Sequence, residues 1–284
     1  MDIKLSFISK AQKRRREIQR TSETDYEKAI MRILAIFNQK GGCGKTTTSV
    51  NLASSLAELE KKVLLVDLDP QCSSSKWLNL SSSSIQESVI TTYINQDPVR
   101  NILFPTKFAN LSMIPSSIRI KTATKNPTNA PKNVQSIFLK KQLSLLDEGK
   151  FDFIVIDCPP DLGKLTLAAL LAATELIVPV PTNYMGISVL AEVFKVFKAV
   201  HLNYNPNILF TGILCSQYNG NKKHDREVLS AIFRKFKNKV FDTVIREDEK
   251  LTECPSFFQP INHYAPQSVA AQDFRSFSLE LLKY

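Results

Sequence analysis

Phe37-Asn-Gln-Lys-Gly-Gly-Cys-Gly-Lys-Thr-Thr-Thr-Ser49 is the stretch on which the fold turns. The run Arg32–Phe37 ahead of it predicts a buried strand, and Thr46–Glu60 behind it predicts a helix with Val50, Leu52, Ala53, Leu56, Ala57 and Leu59 as its apolar stripe. Three glycines, Gly41, Gly42 and Gly44, allow a curl tight enough to aim successive N–H groups at one anion. A helix beginning near Lys45 adds the positive end of its dipole. Lys45 then supplies a point charge for the phosphates, and the Thr46 hydroxyl a ligand for Mg2+. With Cys43 and Thr47 in the same backbone curl, residues 40–47 form a candidate phosphate-binding loop. The usual Gly-x4-Gly-Lys-Thr spacing would put glycine at position 39, where this chain has Gln39; Lys40 stands immediately ahead of the glycines.

Working outward, Val63-Leu-Leu-Val66 is an apolar run with no alternation, as in a parallel strand buried on both faces. It ends in Asp67-Leu-Asp-Pro-Gln71, so two carboxylates lie at a strand's carboxyl end, where open α/β sheets place their ligand crevice. A second such run, Phe151–Asp157, is broken by Pro159-Pro160. Asp157 there can hold Mg2+ through a water. Further strands are predicted at Leu111–Ile114, Glu175–Pro181, Ile208–Tyr218 and Val240–Ile245, and helices at Ile85–Tyr93, Val134–Leu146, Leu165–Ala173, Gly186–Leu202, Asp225–Lys239 and Ser268–Lys283. Residues 121–133 read as a polar, basic loop. Strands alternating with helices, and a phosphate loop after the first strand, predict an α/β fold: one doubly wound, mostly parallel sheet with helices on both faces. The domain spans 32–284, after a basic N-terminal extension over 1–31.

Lys-Gly-Gly-x-Gly-Lys-Thr at 40–46 resembles the deviant Walker A loop of the ParA/MinD branch of P-loop ATPases, and the resemblance extends over about residues 32–284. It implies ATP and Mg2+ as cofactors, with Thr46, Asp67 and Asp157 on the metal side. It implies that Lys40 reaches the phosphates of a partner subunit in a nucleotide-sandwich homodimer, and that Asp69 positions the attacking water. Thr243–Ser256 resembles the loop that in the ParA branch lies by the adenine, which makes Arg246 and Asp248 nucleotide candidates and matches Lys250 to a family arginine. The chain departs from the pattern at Arg246 (proline there), Glu247 (arginine), Asp161 (serine), and at Cys72 and the serines after it (glycine and asparagine).

Composition narrows the class. A 284-residue chain that is 43% hydrophobic can bury a large core. It has no 18-residue apolar run to span a membrane, and no apolar stretch follows the basic N-terminal cluster as a secretory signal requires. Five scattered cysteines without a Cys-x-x-Cys pair suit a reducing cytoplasm and argue against a cysteine-ligated metal cluster. A net charge of +10 favours a polyanion partner. The basic residues concentrate on the helix predicted at 225–239: Lys222, Lys223, Arg226, Arg234 and Lys235 make its flank and outer face, with Lys250 and Arg275 as further DNA-contact candidates. The resemblance implies a DNA-partitioning ATPase, nucleoid-associated, whose dimer binds double-stranded DNA without sequence preference and answers to a ParB-like partner. The alternatives are a MinD-like membrane-surface ATPase, which the absence of a basic amphipathic extension after Phe277–Tyr284 disfavours, and a nucleoid-based cargo-positioning ATPase.

Overall fold

The computed structural model describes residues 31–80, 88–95, 97–125, 132–183 and 186–284. The phosphate loop leaves β1 (Arg32–Ile36) and enters α1 (Lys45–Glu58), which returns the chain to β2 (Val63–Asp67). After α2 (Ser73–Trp77) and α3 (Val89–Asn95) come β3 (Phe104–Pro105), β4 (Leu111–Ile114), α4 (Arg119–Lys125) and α5 (Lys132–Leu143). Then β5 (Phe153–Asp157), α6 (Lys164–Ala172), β6 (Glu175–Pro181), α7 (Gly186–Asn203), β7 (Leu209–Ser216) and α8 (Lys223–Phe236) alternate. Three further helices close the chain: α9 (Glu249–Glu253), α10 (Ile261–Tyr264) and α11 (Val269–Leu281).

The strands form one sheet in the order β3-β4-β2-β5-β1-β6-β7, parallel except for β3 against β4. Alternate residues of each central strand enter opposite cores. Ile33, Ala35, Leu64, Val66, Ile154 and Ile156 pack on the side covered by α3 and α5 to α8. Leu34, Ile36, Val63, Leu65, Phe153 and Val155 pack on the side of α1, α10 and α11. Burial on both faces is why these strands read as unbroken apolar runs. The chain passes from β1 to β2 on one side of the sheet and later to β6 on the other, so the loop after β1 opens where strand order reverses, the usual ligand crevice. Register then sets the site, because Asp157 is opposite Ile36 on one side and Asp67 on the other.

Two expectations need correction. Val240–Ile245 is not a continuous strand. Val240 makes an isolated bridge to Ile213 and the Phe241 and Ile245 N–H groups donate to β7 carbonyls at 3.0 and 2.9 Å, but between them the N–H groups of Asp242 and Thr243 turn to the Glu280 carboxylate at 2.7 and 2.9 Å. The loop predicted at 121–133 is partly helical, since α4 runs to Lys125 and α5 begins at Lys132. The serine-rich run after Gln71 forms α2, held by the carboxylates described below. Part of the Ile85–Tyr93 helix, and all but Met31 of the basic extension, lie outside the described residues.

Candidate nucleotide site

Gly42 and Gly44 take left-handed conformations (φ 73° and 86°), which a side chain would strain, and Gly44 caps α1. Among the described residues the N–H groups of Gly42, Gly44, Thr46 and Thr47 donate to no acceptor, so they face the crevice at the positive end of a 14-residue helix with no acid in its first turn. Two side chains not picked out from sequence hold the curl. Gln217 donates to the Gly42 carbonyl at 2.9 Å, and Asn38 both donates to Pro179 O at 2.8 Å and accepts from the Lys40 N–H at 3.1 Å.

Lys45 is buried, and its ammonium folds onto the Lys40 carbonyl at 2.9 Å with the Cys43 sulfur at 3.9 Å. A buried cation whose hydrogen bonds go only to a carbonyl and a thiol is a site for an anion. Burial raises the Cys43 thiol above its ordinary pKa although Lys45 opposes the shift, which makes it a neutral wall of the loop. The Lys40 ammonium, in contrast, makes no hydrogen bond or ion pair with any described residue, although Lys40 lies one residue from the glycines.

Across the crevice, Asp67 and Asp157 are fully buried side by side. Asp67 accepts from the Asp69 N–H at 3.0 Å and from the Ser75 N–H and hydroxyl at 2.9 and 2.7 Å. Asp157 accepts from Ser74 Oγ at 2.6 Å and Ser49 Oγ at 3.1 Å, and the nearby Thr46 side chain favours its charged form. Burial pushes both carboxyls above the ordinary aspartate range, and for Asp67 repulsion from Asp157 adds to it. Asp69 sits half-exposed at the rim, its Oδ1 bound by the Gln71 N–H at 2.8 Å. Its carboxyl is also raised by burial, with Lys45 pulling the other way.

These donors fit magnesium. Hydroxyl and carboxylate oxygens are hard ligands, and Mg2+ keeps several waters and shares its shell with phosphates. No group of three or more His, Cys, Asp and Glu among the described residues could hold a metal alone, so the nucleotide's oxygens would complete the shell of Thr46 and Asp157.

The more distant candidates are placed differently. Arg246 grips Asp273 through two guanidinium nitrogens, at 2.6 to 3.2 Å. Asp248 caps α9 with one oxygen and takes the Ala270 N–H with the other, which makes it a joint between helices. Lys222 binds both oxygens of Glu247, Lys250 binds Glu253, and Arg275 binds Glu58 and the Pro266 carbonyl. Lys223 lies 3.8 Å from Glu227, Arg226 caps the Gly220 carbonyl, and Arg234 and Lys235 stand on the outer face of α8 without a carboxylate. Lys223, Arg226, Ser230 and Arg234, with Glu227, line a shallow furrow there.

A glycine loop between β1 and α1, a buried lysine behind it and paired aspartates on adjacent strands define a P-loop nucleoside triphosphatase. Comparison with known proteins narrows the class. The AAA domain family profile matches residues 31–210. The chromosome partitioning protein ParA of Myxococcus xanthus is 33% identical over 254 residues, 89% of each chain. The sporulation initiation inhibitor protein Soj of Bacillus subtilis is 33% identical over 250 residues, 88% of this chain and 98% of that protein. Among solved structures, cobyrinic acid a,c-diamide synthase from Mycobacterium smegmatis with bound ADP and magnesium superposes with a TM-score of 0.77 at 29% identity, covering 89% of this chain and 95% of that one. The chain belongs to the ParA/Soj family of P-loop ATPases, in the ParA/MinD branch.

Proposed function

We propose that the chain is a DNA-partitioning ATPase: two copies clamp two ATP molecules between them, the paired basic faces bind double-stranded DNA without sequence preference, and hydrolysis stimulated by a ParB-like protein releases it. The work would take place in the cytoplasm, on the nucleoid. No helix among the described residues is long and apolar enough to cross a membrane.

The observation that carries this reading is the contrast between the two loop lysines. Lys45 is buried and folded onto its own loop, whereas the ammonium of Lys40 has no partner among the described residues. A face-to-face second copy would give Lys40 a phosphate to neutralise, in the manner of an arginine finger. When bound, Mg2+ neutralises charge on the β- and γ-phosphate oxygens. The loop N–H groups and Lys45 orient the phosphates, Thr46 and Asp157 present oxygen to the metal side, and Asp69 at the rim holds a water in line. Pairing two α8 faces roughly doubles the phosphate contacts, so DNA affinity would rise with ATP and fall steeply with salt.

Co-sedimentation with duplex DNA and with anionic liposomes, each with and without ATP and magnesium, tests this function. ATP-dependent pelleting with DNA alone supports it; ATP-dependent pelleting with liposomes alone replaces it with a membrane-surface switch.

A further inference from the structure

Three hydroxyls converge on Asp157. Ser49 and Thr46 ride on α1, the helix that carries the phosphate loop. Ser74 belongs to α2, on the far side of Asp69-Pro70-Gln71, and its 2.6 Å bond to Asp157 Oδ2 is shorter than the 3.1 Å bond from Ser49 to Oδ1. Both residues are fully buried.

The backbone from Ser74 back to the water-side aspartate is short and is itself held by hydrogen bonds. Asp69 accepts from the Cys72 N–H through its carbonyl at 2.8 Å and from the Gln71 N–H through its carboxylate at 2.8 Å. Cys72 sits at φ 56°, in the left-handed region, and caps α2, whose second residue is Ser74. Next to it Ser75 ties α2 to Asp67 by N–H and hydroxyl. This five-residue helix is thus fixed at its start by the two buried carboxylates and at its end by Trp77, which is buried in the core and donates to the Gln259 carbonyl at 2.8 Å.

We infer that Ser74 is a positioning residue: it sets which oxygen of Asp157 faces Thr46, and so couples magnesium binding to the segment that carries Asp69. The inference rests on the reading of Thr46 and Asp157 as the magnesium side. An aspartate carboxylate turns easily about its last bond, and a short charge-assisted hydrogen bond in a dry site stops that rotation. Without the hydroxyl, one oxygen of Asp157 would lose its buried donor and the group would swing toward the α1 hydroxyls. The switch segment would then no longer register whether the metal is in place.

The test is a magnesium titration of the binding of a fluorescent, non-hydrolysable ATP analogue to the full chain. Ser74→Ala should raise the magnesium midpoint about 10- to 100-fold, the usual effect of losing an outer partner of a metal ligand, while binding without magnesium stays as in the wild type. Ser74→Thr, which keeps the hydroxyl, should restore the midpoint. An unchanged midpoint in Ser74→Ala, or an equal loss with and without magnesium, overturns the inference and leaves the nucleotide site standing. A wild type whose nucleotide binding ignores magnesium overturns the site reading and the inference with it. Hydrogen exchange of the wild-type chain is a second arm that needs no variant. Amides of residues 69–78 should gain protection when magnesium is added to the nucleotide-bound protein, and no change there contradicts the coupling.

Discussion

Asp67 and Asp157 are cross-strand partners at the carboxyl ends of β2 and β5, both without solvent exposure, and each is held by a serine of α2. Two like charges in that position are costly without a counter-ion. Because the folded pKa of Asp67 lies above its unfolded value, the folded chain binds more protons between the two, and stability falls as pH rises through that window. In EDTA, stability of the wild type should therefore decline from pH 5 to pH 8, and Asp67→Asn should flatten the decline by at least about 1 kcal/mol. Denaturant melts at the two pH values measure it; parallel wild-type and variant curves would contradict it.

Lys40→Ala removes a charge that no described residue pairs with, so the fold should be indifferent to it. Nucleotide binding by a single subunit should survive, because Lys45 and the loop N–H groups remain. Hydrolysis should fall by about 10^3 or more if Lys40 serves as a trans finger. Turnover like that of the wild type would remove the trans role.

Asp69→Ala should bind ATP and pair but fail to release phosphate, since Thr46, Asp67 and Asp157 keep their places. Losing one positioned base or water-holding group costs about 10^2 to 10^4 in rate. Normal single-turnover phosphate release would assign the water to another residue.

DNA contact should centre on α8. Lys250 and Arg275 are engaged by carboxylates of the chain itself, as is Lys222, whereas Arg234 and Lys235 are not. Arg234→Ala and Lys235→Ala should each lower the slope of log K against log salt by about 0.9 per copy, about 1.8 for the pair, and Arg275→Ala should leave it nearly unchanged. Replacing Lys222, Lys223, Arg234 and Lys235 by glutamate should abolish DNA binding with pairing intact; retained DNA affinity would move the face elsewhere.

Much of this site was legible in the chain because its parts are local. Gly41–Thr47, the Asp67-x-Asp69 pair and Asp157 each follow an apolar run, and parallel strands in register bring their ends together. The helix and strand predictions from Glu175 to Ser216 hold for the same reason, since both faces of these strands are buried. Contacts across long sequence distance were not legible. Gln217 reaches Gly42 over 175 positions, Ser74 reaches Asp157 over 83, and the pairing of Arg275 with Glu58 spans 217; nothing in a run of serines or a lone glutamine signals them. Val240–Ile245 has β-branched residues enough for a strand, and Phe241 and Ile245 do donate to β7, but Glu280 takes the Thr243 N–H between them and interrupts the ladder.

The central claim is that ATP joins two copies through Lys40, and sedimentation of the wild-type chain with magnesium and a non-hydrolysable ATP analogue tests it most directly. A dimer that returns to monomer when the nucleotide is ADP is the expected result. A monomer under both conditions, at concentrations where the fold is intact and the nucleotide is bound, would contradict it.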